Sequence, residues 1–103
     1  MDLDYFKKQI CEELDGAIDY IKHAIEIKNM NSSWGKMLVE MSKAEMDHAK
    51  NLYKMFMDYY KKLTESEGEK IKSEYFDKYV DEIADSYTDK IMKIEHLHKM
   101  YEM

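Results

Sequence analysis

The spacing of apolar residues divides the chain into three amphipathic segments. In each segment apolar side chains recur every three or four positions, and lysine, glutamate and aspartate fill most of the positions between them. This period is that of one face of an α-helix. The sequence therefore predicts helices over about residues 3–28, 33–63 and 70–102, with no strands.

The apolar stripe of each segment predicts its core positions. In the first helix the stripe is Leu3, Phe6, Ile10, Leu14, Ala17, Ile18, Ile21, Ala24 and Ile25. In the second helix it is Met37, Leu38, Met41, Ala44, Leu52, Met55, Phe56, Tyr59 and Leu63. In the third helix it is Phe76, Tyr79, Val80, Ile83, Tyr87, Ile91, Ile94, Leu97 and Tyr101. Each helix is thus expected to bury one face.

Turn-forming residues cluster only at 29–33 and 64–69. Asparagine can end a helix, and serine is a favoured N-cap. Ser66, followed three residues later by Glu69, matches the capping box and predicts that the third helix starts nearby. Short joints make successive helices antiparallel neighbours. We therefore expect one all-α domain over residues 1–103, in an up-down-up arrangement.

Composition supports this assignment and excludes several functional classes. The 103 residues include no proline and only three glycines, so few residues interrupt helices. A net charge of −6 argues against a nucleic-acid partner. No apolar run approaches the roughly 18 residues of a membrane span. The N-terminus lacks the layout of a signal peptide, and Cys11 has no second cysteine, so we expect a reducing cytoplasm.

Two polar residues of the second helix interrupt its apolar stripe. Glu45 and His48 are one helical turn apart, and each falls within about 30° of the stripe centre on a helical wheel. Burying a carboxylate costs several kcal/mol unless a charge or a metal compensates. Bundle proteins hold iron or manganese with Glu-x-x-His. The alternative is a structural polar pair, with a lysine from another helix on the glutamate.

The first helix offers one further carboxylate. Glu13 lies at the edge of the apolar stripe, about 70° from its centre. Gly16 and Ala17 follow it, and small residues at this level leave room for an ion or a neighbouring helix. Taken alone, Glu13 is an ordinary boundary glutamate; beside Glu45 and His48 it becomes a candidate metal ligand.

A second Glu-x-x-His in the third helix is a weaker candidate. His98 lies about 40° from the apolar centre of that helix, but Glu95 lies about 100° away, near the solvent side. His23 and His96 are expected on the surface. Cys11 has no histidine at helical spacing, so no cysteine–histidine dyad is indicated.

The two candidate segments together resemble the paired helices of rubrerythrin-like proteins in the ferritin-like superfamily, particularly the encapsulated ferritins. The resemblance rests on Glu-Glu-Leu-Asp-Gly-Ala-Ile-Asp-Tyr at 12–20 and Ala-Glu-Met-Asp-His-Ala-Lys at 44–50. It implies metal-ligand roles for Glu13, Glu45 and His48, and it covers roughly residues 10–60. The Cys-x-x-Cys pairs of the larger rubrerythrins are absent.

The resemblance implies an iron-binding protein with a di-iron carboxylate site, in which Tyr20 would lie near the metal. Such a site oxidises ferrous iron with dioxygen or peroxide, in storage or detoxification, and manganese or zinc can substitute for iron. An enclosing protein shell is a further implied partner. The expected activity is that of a ferroxidase-type oxidoreductase.

The ligand count suggests how the site is completed. A ferritin-like site uses two Glu-x-x-His motifs and two further glutamates, whereas this chain has one convincing half-set. A two-fold axis doubles every contribution. We therefore predict a homodimer, or a larger even homo-oligomer, that completes a four-helix bundle. The competing hypothesis is a metal-free helical module that oligomerises, with its methionines and tyrosines as packing residues.

Overall fold

Three α-helices account for nearly all of the described chain. The computed structural model describes residues 3–67 and 74–103, with side chains over 3–65 and 77–103. The helices are α1, Leu3–Ile27; α2, Ser32–Glu67; and α3, Glu74–Glu102. The described residues contain no strand, so the prediction of an all-α chain is confirmed.

Hydrogen bonds at the first joint fix where α1 ends and α2 begins. The amides of Met30 and Asn31 both donate to the carbonyl of Ile27, at 2.9 and 2.8 Å, and close α1. The amide of Trp34 then donates to the Asn31 side-chain oxygen at 3.0 Å. Asn31 is therefore the N-cap of α2, a role that satisfies one of the free amides of the first turn.

The second joint differs from the prediction. Ser66 lies in the last turn of α2, which runs to Glu67, so it is not the N-cap of α3. Glu69 and the predicted helix start at residue 70 lie outside the described residues. The pattern of a capping box does not end a helix by itself, and the sequence between Gly35 and Gly68 contains no proline or glycine that would end α2 earlier.

Contacts between the helices establish the up-down-up arrangement. Antiparallel packing of α1 and α2 places Ala17 beside Ser42 and Glu13 beside His48. In contrast, α3 runs parallel to α1. The residue pairs that join them rise in number together along both segments: Asp4–Tyr79, Asp15–Lys90 and Lys28–Tyr101.

The core lies between one face of each helix. The predicted stripes of α1 and α3 supply most of it, and the buried residues of these helices are Phe6, Ile10, Leu14, Ala17, Ile21, Ala24, Val80, Ile83 and Ile94. On the α2–α3 side the rings of Tyr53 and Tyr87 stack with centroids 3.9 Å apart. The side chain of Phe76 lies outside the described residues.

The buried face of α2 matches the predicted one only in part. Phe56 is buried, and Leu52 and Tyr59 pack against the core as predicted, but the most buried positions lie to one side of the predicted stripe. Its buried positions recur every seven residues: Gly35, Ser42, Ala49 and Phe56. This face is rotated by about 80° from the stripe centred on Met41 and Leu52. Met37 and Met41 are 61% and 42% exposed. The small residues face α1 because they let the two helix backbones approach closely, which methionines at the contact would prevent.

Ser42 links all three helices in the core. Its hydroxyl donates to the Ala17 carbonyl at 2.7 Å, and its oxygen lies 2.9 Å from Nε2 of His98. Since the hydroxyl proton is used toward Ala17, His98 is the donor in the second bond. Burial lowers the pKa of His98, and the ammonium of Lys43 lowers it further. His98 is thus a packed, hydrogen-bonded residue of the core boundary.

Over the part of the chain that the structure describes, no helix combines the length and hydropathy that a bilayer crossing needs.

We expect Ser42→Ala to lower the free energy of unfolding by about 1–2 kcal/mol, because His98 would keep its N–H at a half-buried position without an acceptor. Ser33→Ala, at an exposed position of the same helix, is the matched control and should change stability by less than about 0.5 kcal/mol. Urea unfolding of both variants measures the difference. Equal stabilities would show that the Ser42 bonds contribute nothing.

Candidate metal centre

Three side chains from α1 and α2 converge on one point. Glu13, Glu45 and His48 each present one donor atom, and these atoms all lie within 4.8 Å of one another. Within the described residues, it is the one group of three or more acidic, histidine or cysteine side chains whose donor atoms lie this close together. The structure thus brings together the same three residues that the sequence singled out.

The antiparallel contact of α1 and α2 explains the convergence. One helical turn separates Glu13 from Gly16 on α1, and one turn separates Glu45 from His48 on α2. Glu13 therefore meets His48 while Gly16 meets Glu45. A Cβ atom at position 16 would lie 3.3 Å from Oε2 of Glu45. Because glycine has no side chain, the Glu45 carboxylate can lie directly against α1.

Burial is uneven across the three residues. The side chain of Glu13 is 25% exposed, and its Oε2 atom is fully buried without a hydrogen-bond partner. Glu45 is half-buried, whereas the side chain of His48 is 57% exposed. The prediction that Glu45 and His48 occupy the interior seam of the bundle is therefore wrong for this chain. They lie on the open side of the α1–α2 contact because the core face of α2 is rotated.

The two carboxyl groups interact unfavourably when both are charged. A hydrogen bond with Glu13 raises the pKa of Glu45, burial and the Glu13 charge raise it further, and His48 lowers it. The Nδ1 atom of His48 lies 3.4 Å from the Oε2 atom of Glu13, within ion-pair distance but without a hydrogen bond. No lysine forms an ion pair with either carboxylate among the described residues, in contrast to the structural alternative considered from the sequence. Among the described residues, the imidazole of His48 is thus the basic group that pairs with this carboxylate cluster.

The donor set suits a divalent cation. Carboxylate oxygen and imidazole nitrogen are ligands of iron, manganese and zinc. Such ions take four to six ligands, so three donors leave positions for water, a substrate or another chain. A buried carboxylate oxygen without a donor is the atom that a cation would satisfy. The residues present therefore fit a metal ion.

Other sequence candidates lie outside this cluster. Glu95 is exposed, and the His98 imidazole forms a hydrogen bond with the Ser42 hydroxyl and does not join the cluster. His23 and His96 are exposed, as expected, and His23 pairs with Asp19 on its own helix. Tyr20 is half-buried on α1. The small residues after Glu13 indicated room for an ion or a neighbouring helix at this level. Only the structure shows that the Glu45 carboxylate fills the space beside Gly16.

Comparisons with protein families, with curated proteins and with solved structures found no match to this chain.

We expect Glu45→Gln to stabilise the metal-free protein at neutral pH by up to about 1 kcal/mol, a value limited by solvent screening. A group whose pKa is raised on folding loses its stabilising contribution as the pH rises through the folded value. The advantage of the glutamine should therefore disappear below the ordinary glutamate pKa of 4.5. Urea unfolding in a chelator, between pH 4 and pH 7.5, measures it. A constant difference across this range would contradict the assignment.

Gly16→Ala should separate stability from metal binding. Alanine favours a helix interior by up to about 1 kcal/mol over glycine, and the flexible end of Glu45 can move away from the new Cβ. Displacing that carboxylate should weaken binding of Mn²⁺ by about tenfold, the usual effect of disturbing the support of a ligand. Chelator unfolding and metal titration give the two readouts. Unchanged Mn²⁺ affinity would contradict the supporting role of the Gly16–Glu45 contact.

Proposed function

We propose that this protein binds iron through Glu13, Glu45 and His48 and oxidises ferrous iron. The observation that carries the proposal is the convergence of two carboxylates and an imidazole within 4.8 Å, with one carboxylate oxygen buried and accepting no hydrogen bond. Two carboxylates without a nearby lysine create a local need for positive charge. A divalent cation would supply that charge between the two carboxylates.

The choice of iron over other metals rests on ligand type and on the resemblance to rubrerythrin-like proteins. No thiolate joins the cluster, because Cys11 lies on the side of α1 that faces α3, near Lys7 and Tyr87. Hard oxygen donors with a single imidazole are typical of iron and manganese sites in helical bundles. Zinc would bind the same atoms without redox chemistry.

In this proposal iron is the substrate. Each ferrous ion gives up one electron and becomes ferric. Two such electrons, with two protons, reduce dioxygen to hydrogen peroxide or reduce peroxide to two molecules of water. Glu13, Glu45 and His48 would hold the iron through two carboxylates and one imidazole. The protein fixes these donors on two rigid helices and leaves coordination positions open.

A second copy of the chain completes the coordination in this proposal. Three donors from one chain become four carboxylates and two imidazoles when a two-fold axis doubles them. The cluster lies on the face of α1 and α2 that α3 does not cover, and His48 is directed toward solvent there. A partner on this face would bury the site and form a four-helix bundle from two α1–α2 pairs.

The second candidate function is a metal-free oligomerisation module, and one observation favours it. Trp34 and Met37 are 60% and 61% exposed, which is a large apolar area for a monomer. Such a surface would serve an interaction protein with or without a metal. Metal content distinguishes the two: iron or manganese bound at a fixed ratio supports the first function, and a chain that takes up neither on reconstitution supports the second.

The iron proposal predicts that aerobic oxidation of ferrous iron is faster with the protein than without it. Glu45→Ala and His48→Ala should reduce the rate to that of the protein-free solution, because each removes a ligand. Glu12→Ala on α1 and His96→Ala on α3 remove the same two residue types at exposed positions outside the cluster. These controls should retain the wild-type rate. Far-UV circular dichroism checks that all variants fold. Wild-type rates in both ligand variants would refute the assignment.

A further inference from the structure

The rings of Tyr53 on α2 and Tyr87 on α3 form a close parallel pair. Their centroids are 3.9 Å apart, and their planes differ by 3°. Aromatic pairs in proteins usually keep their centroids about 4.5–7 Å apart and favour offset or edge-to-face arrangements. Because the carbon atoms of parallel rings are separated by at least about 3.5 Å, the lateral offset of this pair is less than about 2 Å. Carbon atoms of one ring therefore lie over the other ring.

This stack lies where two helices of the fold touch only sparsely. The third helix packs mainly against α1 and meets α2 at few points. Both tyrosine side chains are half-buried, and the Tyr53 ring also contacts Phe56 in the core, with centroids 6.0 Å apart. Burial raises the pKa of Tyr87, and the neighbouring Tyr53 and the charge of Glu95 raise it further. Tyr87 is therefore a neutral phenol at neutral pH.

A close parallel pair of rings is more favourable after oxidation than before it. The faces of two neutral rings are both electron-rich, so their overlap gains little electrostatic energy. When one ring loses an electron, its positive charge lies over the electron-rich face of the other ring, as in a cation–π contact. The stacked partner therefore eases the removal of the first electron and holds the two rings together afterwards.

We propose that Tyr53 and Tyr87 are an oxidative cross-linking site, at which one-electron oxidation joins the two rings as dityrosine. Each phenol loses one electron and one proton and becomes a phenoxyl radical. The two radicals pair their electrons in a carbon–carbon bond between ring positions next to the hydroxyl groups. The hydrogen atoms on these two carbons then move to the oxygens, which restores both aromatic rings. The chain loses two hydrogen atoms in total.

The oxidant is peroxide reduced by ferrous iron, and this part of the inference rests on the proposed function. A ferrous ion reduces peroxide by one electron to hydroxide and a hydroxyl radical, and the radical takes a hydrogen atom from a tyrosine to form water. Two such events supply one cross-link. Tyr53 follows His48 by five residues on α2, so it lies about 8 Å along the helix axis from the candidate metal centre. The pair is thus placed to take up oxidising equivalents that leave the iron cluster.

Oxidation in a chelator tests the stacked pair without iron. A photo-excited ruthenium tris-bipyridine complex with persulfate is the one-electron oxidant, and dityrosine fluorescence in a chain that migrates as a monomer on a denaturing gel is the first readout. Trypsin cleaves after lysine, so the expected product joins peptide 51–54, which contains Tyr53, to peptide 79–90, which contains Tyr87. Fragmentation spectra distinguish Tyr87 from Tyr79 in the second peptide. A wild-type map in which the links join other tyrosines would overturn the proposal.

Phenylalanine variants test each ring separately. Tyr53→Phe and Tyr87→Phe keep a ring in the stack but remove the hydroxyl, so each should abolish the intramolecular dityrosine. Tyr59→Phe on α2 and Tyr101→Phe on α3 are the matched controls, since they change half-buried tyrosines whose rings contact Phe6 and Lys28. These two variants should keep the wild-type yield, and circular dichroism checks that all four fold. Wild-type yields in Tyr53→Phe or Tyr87→Phe would refute the assignment.

The link should also change the stability of the chain. It closes the segment from residue 53 to residue 87, which restricts the unfolded chain as a disulfide does. Oxidised wild type should therefore unfold at a higher urea concentration than Tyr87→Phe treated in the same way. Equal midpoints would contradict a covalent bond between α2 and α3.

Ferrous iron with hydrogen peroxide, added in place of the ruthenium complex, separates this inference from the proposed function. The wild type should form the link faster than His48→Ala, whose cluster lacks one ligand, while both should form it equally with the ruthenium complex. Equal rates with iron would leave the cross-linking site standing and overturn the iron cluster as the source of its oxidant. A wild type that forms the link with ruthenium but oxidises no ferrous iron would refute the proposed function alone. Absence of the link with either oxidant would overturn the cross-linking site.

Discussion

The close approach of α1 to α2 is the contact on which the rest of the molecule depends. Small residues make it possible: Ala17 and Ala49 are fully buried, and Ser42 donates to a backbone carbonyl of α1. Because the backbones lie so close, Glu13 reaches His48, and Glu45 lies against Gly16. A larger residue at either small position would separate the helices, and the three polar side chains would no longer converge.

This contact divides the circumference of α2 into two functional faces. One face carries Ser42, Ala49 and Phe56 into the core, where α3 covers them together with α1. The other face carries the candidate metal ligands between two groups of apolar side chains. Since α3 lies on the core side, it stabilises the bundle without blocking the open face. The third helix thus supplies within one chain the burial that a two-helix hairpin lacks.

The polar cluster has an electrostatic cost that helps to explain its character. Hydrogen bonding and burial beside Glu13 raise the pKa of Glu45, and within the described part of the chain the basic group paired with this cluster is the exposed imidazole of His48. A fold gains nothing from two partly buried carboxylates in contact. Side chains that cost stability and converge on one point are typical of functional sites, where a ligand offsets the cost. The metal proposal and the dimer proposal both provide such an offset.

Helical period and residue spacing by themselves determined the three helices and the buried stripes of α1 and α3. They also determined the turn between α1 and α2. They also placed Glu45 and His48 one turn apart and Glu13 at the edge of the apolar stripe of α1.

They did not determine which face of α2 is buried. Apolar or small residues occupy more than half of that helix's circumference, and hydrophobicity favours methionine over the glycine, serine and alanine that the contact requires. Only tertiary packing could decide between them, because the closest backbone approach, which a periodicity does not measure, selects the small residues. The exposure of His48 follows from the same rotation of α2. The Asn31 cap is a local hydrogen bond, which the pattern of apolar residues does not specify, and that pattern does not specify the extension of α2 to Glu67 either.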